Sequence, residues 1–343
     1  MTTDSAPAPL TVAVTGPTGD LGRSLLRVLE TNPRVARVRA MARRPFDPAE
    51  EGLAKTVYRQ ADVLDADAVA EVVQGADVVV HLAFMIMGGV RETTEINLAG
   101  SRNVFGAAID ARVPRLVYAS SVAAYGFGAD NPPVLTEDLE PRGTARHYYS
   151  AQKAELEQAL RELLAGSDTE AYIFRPCIVA GPDALTLVQT IPYVQLSERM
   201  PAAVLRALEF MPALKPVLPN PGVPFQLVHH DDVATALEAA VLGRGEPGTY
   251  NLAADGTLTL ADLADALGWY SVPVPELALG AGAELVARLP FVPAEAQWIE
   301  SLRRPVIMDT SRARTILGWE PRHDARQTLD EMVAAARAEG LLR

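Results

Sequence analysis

Two groups of residues in this sequence have types and spacings that could do chemistry. Gly16, Gly19 and Gly22 lie between a short apolar run and leucines that recur at helical spacing. A glycine turn that opens a helix offers free backbone amides and the positive end of the helix dipole to a phosphate. Tyr149 and Lys153 are four residues apart, so a helix would hold them on one side, one turn from each other.

Each glycine has its own role in the predicted turn. Gly16 permits the tight turn, Gly19 lets a backbone approach a pyrophosphate, and Gly22 allows the helix to pack close to the strand. The alternative is that the glycines only connect the strand to the helix. The order of strand, turn and helix favours a dinucleotide site, because the glycine pattern is specific only in that context.

The Tyr149/Lys153 pair is significant because of the segments that precede it in the chain. A Tyr/Lys pair at this spacing is common in helices, so the pair alone is weak evidence. Here it follows the predicted phosphate loop and a strand over residues 116–121 that ends in Ser120 and Ser121. Ligands collect at the carboxyl ends of parallel strands, which places these hydroxyls near the predicted site.

Strands alternate with helices through the first half of the chain. The predicted strands cover residues 10–15, 35–41, 55–60, 76–83, 116–121 and 171–179, and the predicted helices cover 23–30, 66–74, 91–112, 145–165 and 233–242. Continuous apolar strands are typical of a parallel sheet that helices cover on both faces. The sequence therefore predicts an α/β fold of Rossmann type, with a doubly wound parallel sheet.

The length of the chain, 343 residues, predicts two domains, because a single core rarely grows so large. We expect a dinucleotide-binding domain over residues 1–181, rejoined by about 225–256. A smaller C-terminal α/β substrate domain is predicted over 182–224 and 257–343.

Composition limits the partners and the compartment. A net charge of −12 argues against nucleic acids and membranes as partners and favours small molecules. Cys177 is the single cysteine, which excludes an internal disulfide and suits a cytoplasmic protein. The first nine residues lack the features of a signal peptide. His81 lies within a predicted strand with no ligand-type residue at metal-binding spacing, so we expect a structural histidine and no metal site.

The end of the second strand bears on the choice of cofactor. In dinucleotide-binding folds an acid about 20 residues after the glycines binds the ribose, whereas an arginine accommodates a 2′-phosphate. Residues 40–44 contain no acid. Arg43, with Arg44 or Arg39 in support, would attract the extra phosphate, which favours NADP over NAD. The alternative is that these arginines are solvated at the strand end and that NAD binds through other contacts. Asp62 follows the third strand, where it could meet the adenine.

Together these motifs resemble the extended short-chain dehydrogenase/reductase family, the group of NAD(P)-dependent epimerases, dehydratases and 3β-hydroxysteroid dehydrogenase-like enzymes. Residues 15–22 are similar to the family's TGxxGxxG motif, and residues 119–126 resemble its segment with the catalytic serine. Further matches occur at 81–83, 97–100, 174–176, 181–182, 229–234, 250–252 and 309–321. The resemblance covers nearly the whole chain.

The resemblance implies a catalytic role for Ser121, Tyr149 and Lys153. Tyr149 would exchange a proton with the substrate oxygen while the nicotinamide exchanges a hydride, and Ser121 would hydrogen-bond that oxygen. A tyrosine with a pKa of about 10 is a poor base at neutral pH, so the ammonium of Lys153 would favour its phenolate and also hold the nicotinamide ribose. The alternative is an ordinary helix tyrosine and a serine that caps the strand end.

The resemblance also implies the cofactor contacts and an assembly. The expected contacts are Gly16, Thr18, Gly19, Asp20, Leu21, Arg43, Asp62, Val63, Leu82, Ala83, Asn97, Tyr149, Lys153 and Pro176. Dimerisation through the helices over 91–112 and 145–165 is common in the family, so a homodimer is a prediction.

The substrate region departs from the nucleotide-sugar members, which usually carry a basic residue shortly before the His/Asp motif. Residues 221–230 contain Gln226 but no lysine or arginine, and residues 185–219 are largely apolar. The apolar side chains there include Ile191, Tyr193, Val194, Leu205, Phe210 and Met211. We therefore expect a dehydrogenase or reductase that acts on a hydrophobic hydroxyl or keto compound.

Two alternatives to this function stay open. The first is a nucleotide-sugar epimerase or dehydratase, in which Arg199, Arg206 or Lys215 would reach a phosphate. The second is a non-enzymatic protein that senses dinucleotides and regulates a partner.

Overall fold

The computed structural model describes residues 8–86, 90–197, 215–274 and 304–342. Its strands are β1 (Leu10–Thr15), β2 (Val35–Ala42), β3 (Thr56–Gln60), β4 (Val78–His81), β5 (Arg115–Ala119), β6 (Glu170–Pro176), β7 (Ile178–Ala180), β8 (Val217–Asn220), β9 (Leu227–His229), β10 (Gly248–Leu252) and β11 (Tyr270–Pro273). Its α-helices are α1 (Asp20–Thr31), α2 (Ala66–Val73), α3 (Val90–Thr94), α4 (Gly100–Asp110), α5 (Tyr148–Leu164), α6 (Thr186–Gln189), α7 (Pro192–Ser197), α8 (His230–Val241), α9 (Leu260–Leu267), α10 (Ser311–Ile316) and α11 (Ala325–Ala338).

Seven strands form a parallel sheet in the order β10-β6-β5-β4-β1-β2-β3. The chain leaves β1 on one side towards β2 and β3 and returns on the other side towards β4 and β5. This reversal opens a crevice outside the carboxyl ends of β1 and β4, where ligands bind in such sheets. The predicted Rossmann-type fold is confirmed.

Apolar layers cover both faces of the sheet, as the strand pattern predicts. Val12 and Val14 of β1 belong to a core with Leu25 and Leu26 of α1. The alternate residue, Ala13, belongs to the opposite core, with residues of α2, α4 and α5. The site therefore stands on strands that are fixed from both sides.

His81 is a structural residue of this core, as predicted. Its ring nitrogens lie 2.7 Å from the Thr15 hydroxyl and 2.8 Å from the Ser101 hydroxyl. Burial lowers its pKa to about 3. The neutral imidazole thus links β4 to β1 and to α4.

Two predicted elements are interrupted in the structure. The strand expected over 171–179 ends at Pro176, and the chain then enters β7, which pairs with β9 in a separate two-stranded sheet. The helix expected over 91–112 contains a π-helical turn, Glu95–Ala99, between α3 and α4. Such insertions are common near functional sites.

A third core lies beneath β7 and β9. Val188, Leu227, Leu263, Leu329 and Met332 are its central side chains. The domain boundaries at residues 181, 225 and 256 stay a prediction. Within the described ranges, no helix is both long and apolar enough to cross a membrane.

Candidate active site

A cavity of about 740 Å³ opens over the carboxyl ends of the parallel strands. The segments that follow β1 to β6 line it, so it occupies the crevice that the sheet topology predicts. Nearly all the predicted site residues line it: Gly16, Thr18, Gly19, Asp20, Leu21, Arg43, Asp62, Val63, Leu82, Ala83, Ser121, Tyr149, Lys153 and Pro176. Asn97 is the exception.

The glycine turn packs against Leu82 and Ala83, the first residues after β4. Gly16 has a φ of +75°, and a Cβ atom there would lie 2.6 Å from the Ala83 nitrogen. A Cβ atom at Gly22 would lie 2.2 Å from the Gly16 carbonyl oxygen. Only glycine fits at these two positions without a shift of the backbone.

The first turn of α1 faces the cavity. Gly19 is its N-cap residue and provides no side-chain cap, and Gly19, Asp20 and Leu21 all line the cavity. A Cβ atom at Gly19 would meet no heavy atom closer than 3.6 Å, so the turn itself does not fill the space beside it. Uncapped helix amides beside open space fit a diphosphate.

Two arginines line the cavity beside the glycine turn. The Arg44 guanidinium donates a hydrogen bond to the Thr18 carbonyl oxygen over 2.7 Å, and the Arg43 Nε lies 3.9 Å from the Asp62 carboxylate. Arg39, by contrast, donates to the Gln74 carbonyl oxygen and does not line the cavity. Arg43 and Arg44 are thus the cations available to a ligand phosphate beside this turn.

Tyr149 lies in the first turn of α5, with 9% of its surface exposed. Burial raises the pKa of its hydroxyl to about 12, although a hydrogen bond with Ser121 acts in the opposite direction. The ring packs edge to face against Phe84, at 5.4 Å between the ring centres. Tyr149 is therefore a protonated phenol at neutral pH in this environment.

Lys153 lies one turn further along α5 and is 3% exposed. Its Nζ donates to the Ala119 carbonyl oxygen over 2.7 Å and lies 3.8 Å from the centre of the Phe84 ring. Burial lowers its pKa to about 7, while Glu157 acts in the opposite direction.

That this ammonium holds Tyr149 as a phenolate stays a prediction. Lys153 Nζ is 5.9 Å from the centre of the Tyr149 ring and is directed at Ala119 instead. The loss of hydration on burial dominates the pKa of both groups.

Local hydrogen bonds fix α5 against the strand that carries the serine. The hydroxyl of Ser150 donates to the Ala123 carbonyl oxygen over 2.6 Å and accepts from the Thr144 amide over 2.9 Å. The Ser121 Oγ accepts from the Ala123 amide over 3.1 Å, which makes it the cap of the short 3₁₀ turn Val122–Tyr125. Ser121 therefore caps the strand end and contacts Tyr149 at the same time.

Asn97 is buried behind the cavity wall. Its carbonyl oxygen accepts from the Met85 amide over 2.8 Å, and its Nδ2 donates to the Met85 carbonyl oxygen and to Gln152 Oε1, each over 2.9 Å. Met85 lines the cavity, so Asn97 positions the wall. Its direct contact with a cofactor stays a prediction.

The site contacts a buried ion pair that was not predicted from the sequence. The Arg175 guanidinium donates to both carboxylate oxygens of Glu157, over 2.9 and 2.6 Å, and both side chains are fully buried. The hydroxyl of Ser120, which lines the cavity, donates to the same carboxylate over 2.5 Å. Glu157 follows Lys153 by four residues on α5, a spacing that could have identified it.

The wall beyond Tyr149 is largely apolar. Its residues are Ile178, Val179, Leu187, Val223, Pro224, Phe225 and Val306. Gln226 also lines this wall, but its side-chain amide is paired with the Met308 backbone over 2.8 and 3.3 Å. Among the described residues of this wall, Arg304 carries the one charged side chain, and the sequence reasoning did not identify it.

Several residues expected to supply the apolar wall lie elsewhere. Ile191 and Val194 are in the third core, and Tyr193 packs against Trp269 at 5.2 Å between the ring centres. They do not line the cavity, because the short helices α6 and α7 turn them inward. Leu205, Phe210, Met211, Arg199 and Arg206 lie outside the described residues.

Comparison with known proteins gives a family match over most of the chain. The sequence model of the NAD dependent epimerase/dehydratase family matches residues 12–253. An uncharacterized protein of Mycobacterium tuberculosis is 27% identical over 332 residues, which cover 94% of this chain and 83% of that protein.

Two characterised relatives match over shorter spans. Cinnamoyl-CoA reductase 1 of Arabidopsis thaliana is 28% identical over 52% of this chain and 55% of its own length. Human 3 beta-hydroxysteroid dehydrogenase type 7 is 34% identical over 44% of each chain. The chain thus spans about half the length of these two proteins.

Solved structures share the fold over nearly the whole chain. The crystal structure of gox2253 superposes with a TM-score of 0.73 at 25% identity, over 97% of this chain and 99% of that one. A short-chain dehydrogenase/reductase superfamily protein of Agrobacterium tumefaciens, with bound NAD, gives 0.70 at 20% identity over 96% and 98%. The UDP-glucose 4-epimerase of Thermotoga maritima, with UDP-glucose, gives 0.70 at 18% identity over 96% and 99%.

Proposed function

Because this chain belongs to the NAD dependent epimerase/dehydratase family of enzymes, we propose that it reduces a hydrophobic carbonyl compound, or oxidises the matching alcohol, with NADP. The observation that supports this function is the convergence of Ser121, Tyr149 and Lys153 in one cavity with the glycine turn. Such a cavity can hold a dinucleotide and a small substrate side by side.

The residues of the cavity fit an NADP cofactor along its length. The amides of Gly19, Asp20 and Leu21 would bind the diphosphate, and the guanidiniums of Arg43 and Arg44 would bind the 2′-phosphate. Lys153 would hold the nicotinamide ribose. When bound, the nicotinamide ring supplies or accepts the hydride.

Tyr149 handles the proton of the reaction. In reduction its hydroxyl donates the proton to the carbonyl oxygen of the substrate, and in oxidation its oxygen takes that proton back. With a pKa raised to about 12 by burial, the phenol carries its proton at neutral pH, which favours the role of donor. Ser121 would hydrogen-bond the same substrate oxygen and so fix its distance from Tyr149.

The apolar wall supports a hydrophobic substrate. Val179, Leu187 and Phe225 present hydrocarbon to the cavity, and the amide of Gln226 is already paired with the backbone of Met308. Two relatives, by their names, are a reductase of an aromatic thioester and a dehydrogenase of a hydroxysteroid. Both names describe oxidoreductases.

A second candidate function, the epimerisation or dehydration of a nucleotide sugar, is favoured by Arg304. Its exposed guanidinium lines the cavity beyond the apolar wall, where it could bind a diphosphate. The sensor function is disfavoured, because binding alone does not need Ser121, Tyr149 and Lys153 together in one cavity.

A substrate panel separates these functions. The purified protein would be assayed for NADPH oxidation with aromatic, steroid and aliphatic carbonyl compounds, and for conversion of UDP- and TDP-sugars. We expect turnover of an apolar carbonyl compound that the Tyr149→Phe variant lacks. Turnover of a nucleotide sugar alone would favour the second function, and equal activity of the Tyr149→Phe variant in every assay would contradict both.

A further inference from the structure

We propose that His229, His323 and Glu331 form a binding site for a divalent transition metal ion of the zinc type. His229 ends β9, His323 precedes α11, and Glu331 lies on α11. None of the three lines the cavity described above. The proposal concerns a site that is separate from the reaction centre and does not depend on the proposed function.

The three side chains converge closely enough to share one ion. One ligand atom from each of them lies within 4.8 Å of the others. The rings of His229 and His323 stack, with 3.9 Å between their centres and 22° between their planes. For an ion among these atoms to reach bond lengths of about 2.0–2.2 Å, the side chains would have to move closer together and the two rings would have to open out of their stack.

His229 points an unsatisfied nitrogen at this position. The residue is 2% exposed, and its Nε2 makes no hydrogen bond. That nitrogen lies 3.3 Å from Glu331 Oε2, out of line for a hydrogen bond. A buried polar atom without a partner is costly. Since Nδ1 of His229 accepts a hydrogen bond from the Asp231 amide, the neutral ring carries its proton on Nε2, and a metal ion would replace that proton.

A buried carboxylate orients His323 for metal binding. Asp232, in the first turn of α8, accepts a hydrogen bond from His323 Nδ1 over 3.0 Å and from the His323 amide over 3.1 Å. Its other oxygen accepts from the Arg322 amide over 3.0 Å. With Nδ1 held in this way, Nε2 of His323 carries the lone pair, the arrangement seen around zinc-bound histidines.

Asp231 can do the same for His229. One of its carboxylate oxygens lies 4.0 Å from His229 Nδ1 and the other lies 3.0 Å from His230 Nδ1, while its amide donates a hydrogen bond to His229 Nδ1 over 3.2 Å. When Nε2 binds an ion, the ring proton would move to Nδ1. The hydrogen bond from the amide would then be lost, and the carboxylate oxygen at 4.0 Å would take its place as the partner of Nδ1. Both imidazoles would then have a carboxylate behind them.

The neighbouring His230 is a weaker ligand candidate. Its Nδ1 lies 2.7 Å from the Ser24 hydroxyl, and its Nε2 accepts from the Asp183 amide over 3.2 Å. Both ring nitrogens are therefore engaged, and only 2% of the residue is exposed. This disfavours the other possible group, His229, His230 and Asp231.

Two imidazole nitrogens and one carboxylate oxygen are ligands that suit Zn²⁺. The side chains of Glu331 and His323 are 47% and 25% exposed, so an ion has an entry path and room for a water as a fourth ligand. The ion would join α11 to the start of α8. Sequence reasoning predicted no metal site, because His229, His323 and Glu331 are far apart along the chain.

Metal titration of the protein without an affinity tag tests the proposal. After dialysis against a chelator, Zn²⁺ would be titrated in competition with a chromophoric chelator, and Co²⁺ would report the ligand geometry through its visible spectrum. We expect one ion per chain. His323→Ala and Glu331→Gln should each weaken the affinity by more than about tenfold.

Asp330→Asn is the matched control, since it removes an exposed carboxylate next to Glu331 that pairs with Arg326 instead. It should bind Zn²⁺ like the unchanged protein. Circular dichroism would establish that every variant is folded. The absence of stoichiometric binding would overturn the site and leave an ion pair between His229 and Glu331. Binding that survives Glu331→Gln but is lost in Asp231→Asn would overturn it in favour of the other group.

Discussion

The ammonium of Lys153 donates a hydrogen bond to the carbonyl oxygen of Ala119 over 2.7 Å, in a place where only 3% of the lysine is exposed. The carbonyl belongs to the last residue of β5, directly before Ser120 and Ser121. The Lys153 ammonium, at the carboxyl end of a central strand, is therefore hydrogen-bonded by the backbone rather than by water. Burial of this charge lowers the stability of the fold, and the proposed chemistry would account for its position.

Replacement of Lys153 by methionine should stabilise the protein and abolish its activity. Burial lowers the pKa of Lys153 to about 7, well below the value of about 10.4 in an unfolded chain. The unfolded chain thus binds a proton that the folded chain lacks between these two pH values. The loss of folding stability caused by this buried lysine is therefore full below about pH 7 and disappears as the pH rises towards about 10.4.

Urea unfolding checks this prediction. At about pH 6, Lys153→Met should raise the free energy of unfolding by on the order of 3 kcal/mol, and the difference should shrink by about pH 9.5. Lys215→Met changes an exposed lysine and should stay within about 0.5 kcal/mol at either pH. A gain that is the same at both pH values would contradict the lowered pKa.

The Tyr149→Phe variant should lose turnover but keep its cofactor. The loss of the proton donor should lower kcat by about 100-fold or more, whereas the Kd for NADPH, measured by fluorescence, should change less than about threefold. Tyr148→Phe is the matched control, because the hydroxyl of Tyr148 donates to the Ile86 carbonyl oxygen on the cavity wall. Its kcat should fall by less than about tenfold.

The parts of this site that the sequence predicted are those with local signals. The turn at Gly16 and Gly22 and the pair Tyr149 and Lys153 each lie within one short segment, where spacing alone fixes which side chains meet. The alternation of strands and helices then predicted the doubly wound parallel sheet. Local periodicity thus predicted the fold and most of the cavity.

The parts that the sequence did not predict depend on contacts between distant segments. Arg304 reaches the cavity from a segment far from the other site residues, and no motif marks it. Asn97 turns away from the cavity at a π-helical turn that helical periodicity does not reveal. The high pKa of Tyr149 depends on its burial, which the spacing to Lys153 does not report.

The choice of cofactor should depend on Arg43 and Arg44. Their guanidiniums line the cavity, and serine in their place removes the charges that would bind a 2′-phosphate. In Arg43→Ser/Arg44→Ser we expect the Kd for NADPH to rise by about 10- to 100-fold and the Kd for NADH to change little. Arg39→Ser is the control, since Arg39 is outside the cavity. Tighter binding of NADH than of NADPH by the unchanged protein would overturn the assignment.

Glu157→Gln should destabilise the protein strongly. The substitution leaves the fully buried guanidinium of Arg175 without its counter-charge, at a cost of about 3–5 kcal/mol. Glu155→Gln, on the same helix, breaks an exposed ion pair with Arg102 and should cost less than about 1 kcal/mol. Urea unfolding at neutral pH compares the two. Similar values for both variants would mean that Arg175 finds other partners when its carboxylate is removed.

Alanine at two helix glycines should have opposite effects. A Cβ atom at Gly22 would lie 2.2 Å from the Gly16 carbonyl oxygen, so the turn must move and its amides lose their alignment towards the diphosphate. Gly106, in α4, has no heavy atom within 4 Å of the same added atom. Gly106→Ala should therefore raise the free energy of unfolding by about 0.5–1 kcal/mol, as alanine does in open helix positions.

For Gly22→Ala we expect a loss of about 1–3 kcal/mol in stability and a Kd for NADPH that is about tenfold higher or more. Thermal unfolding and cofactor fluorescence measure the two effects separately. If Gly22→Ala bound NADPH as tightly as Gly106→Ala, the turn would not be the diphosphate site. Equal gains of stability in the two variants would instead show that position 22 accepts a Cβ atom and that the contact with Gly16 does not require glycine there.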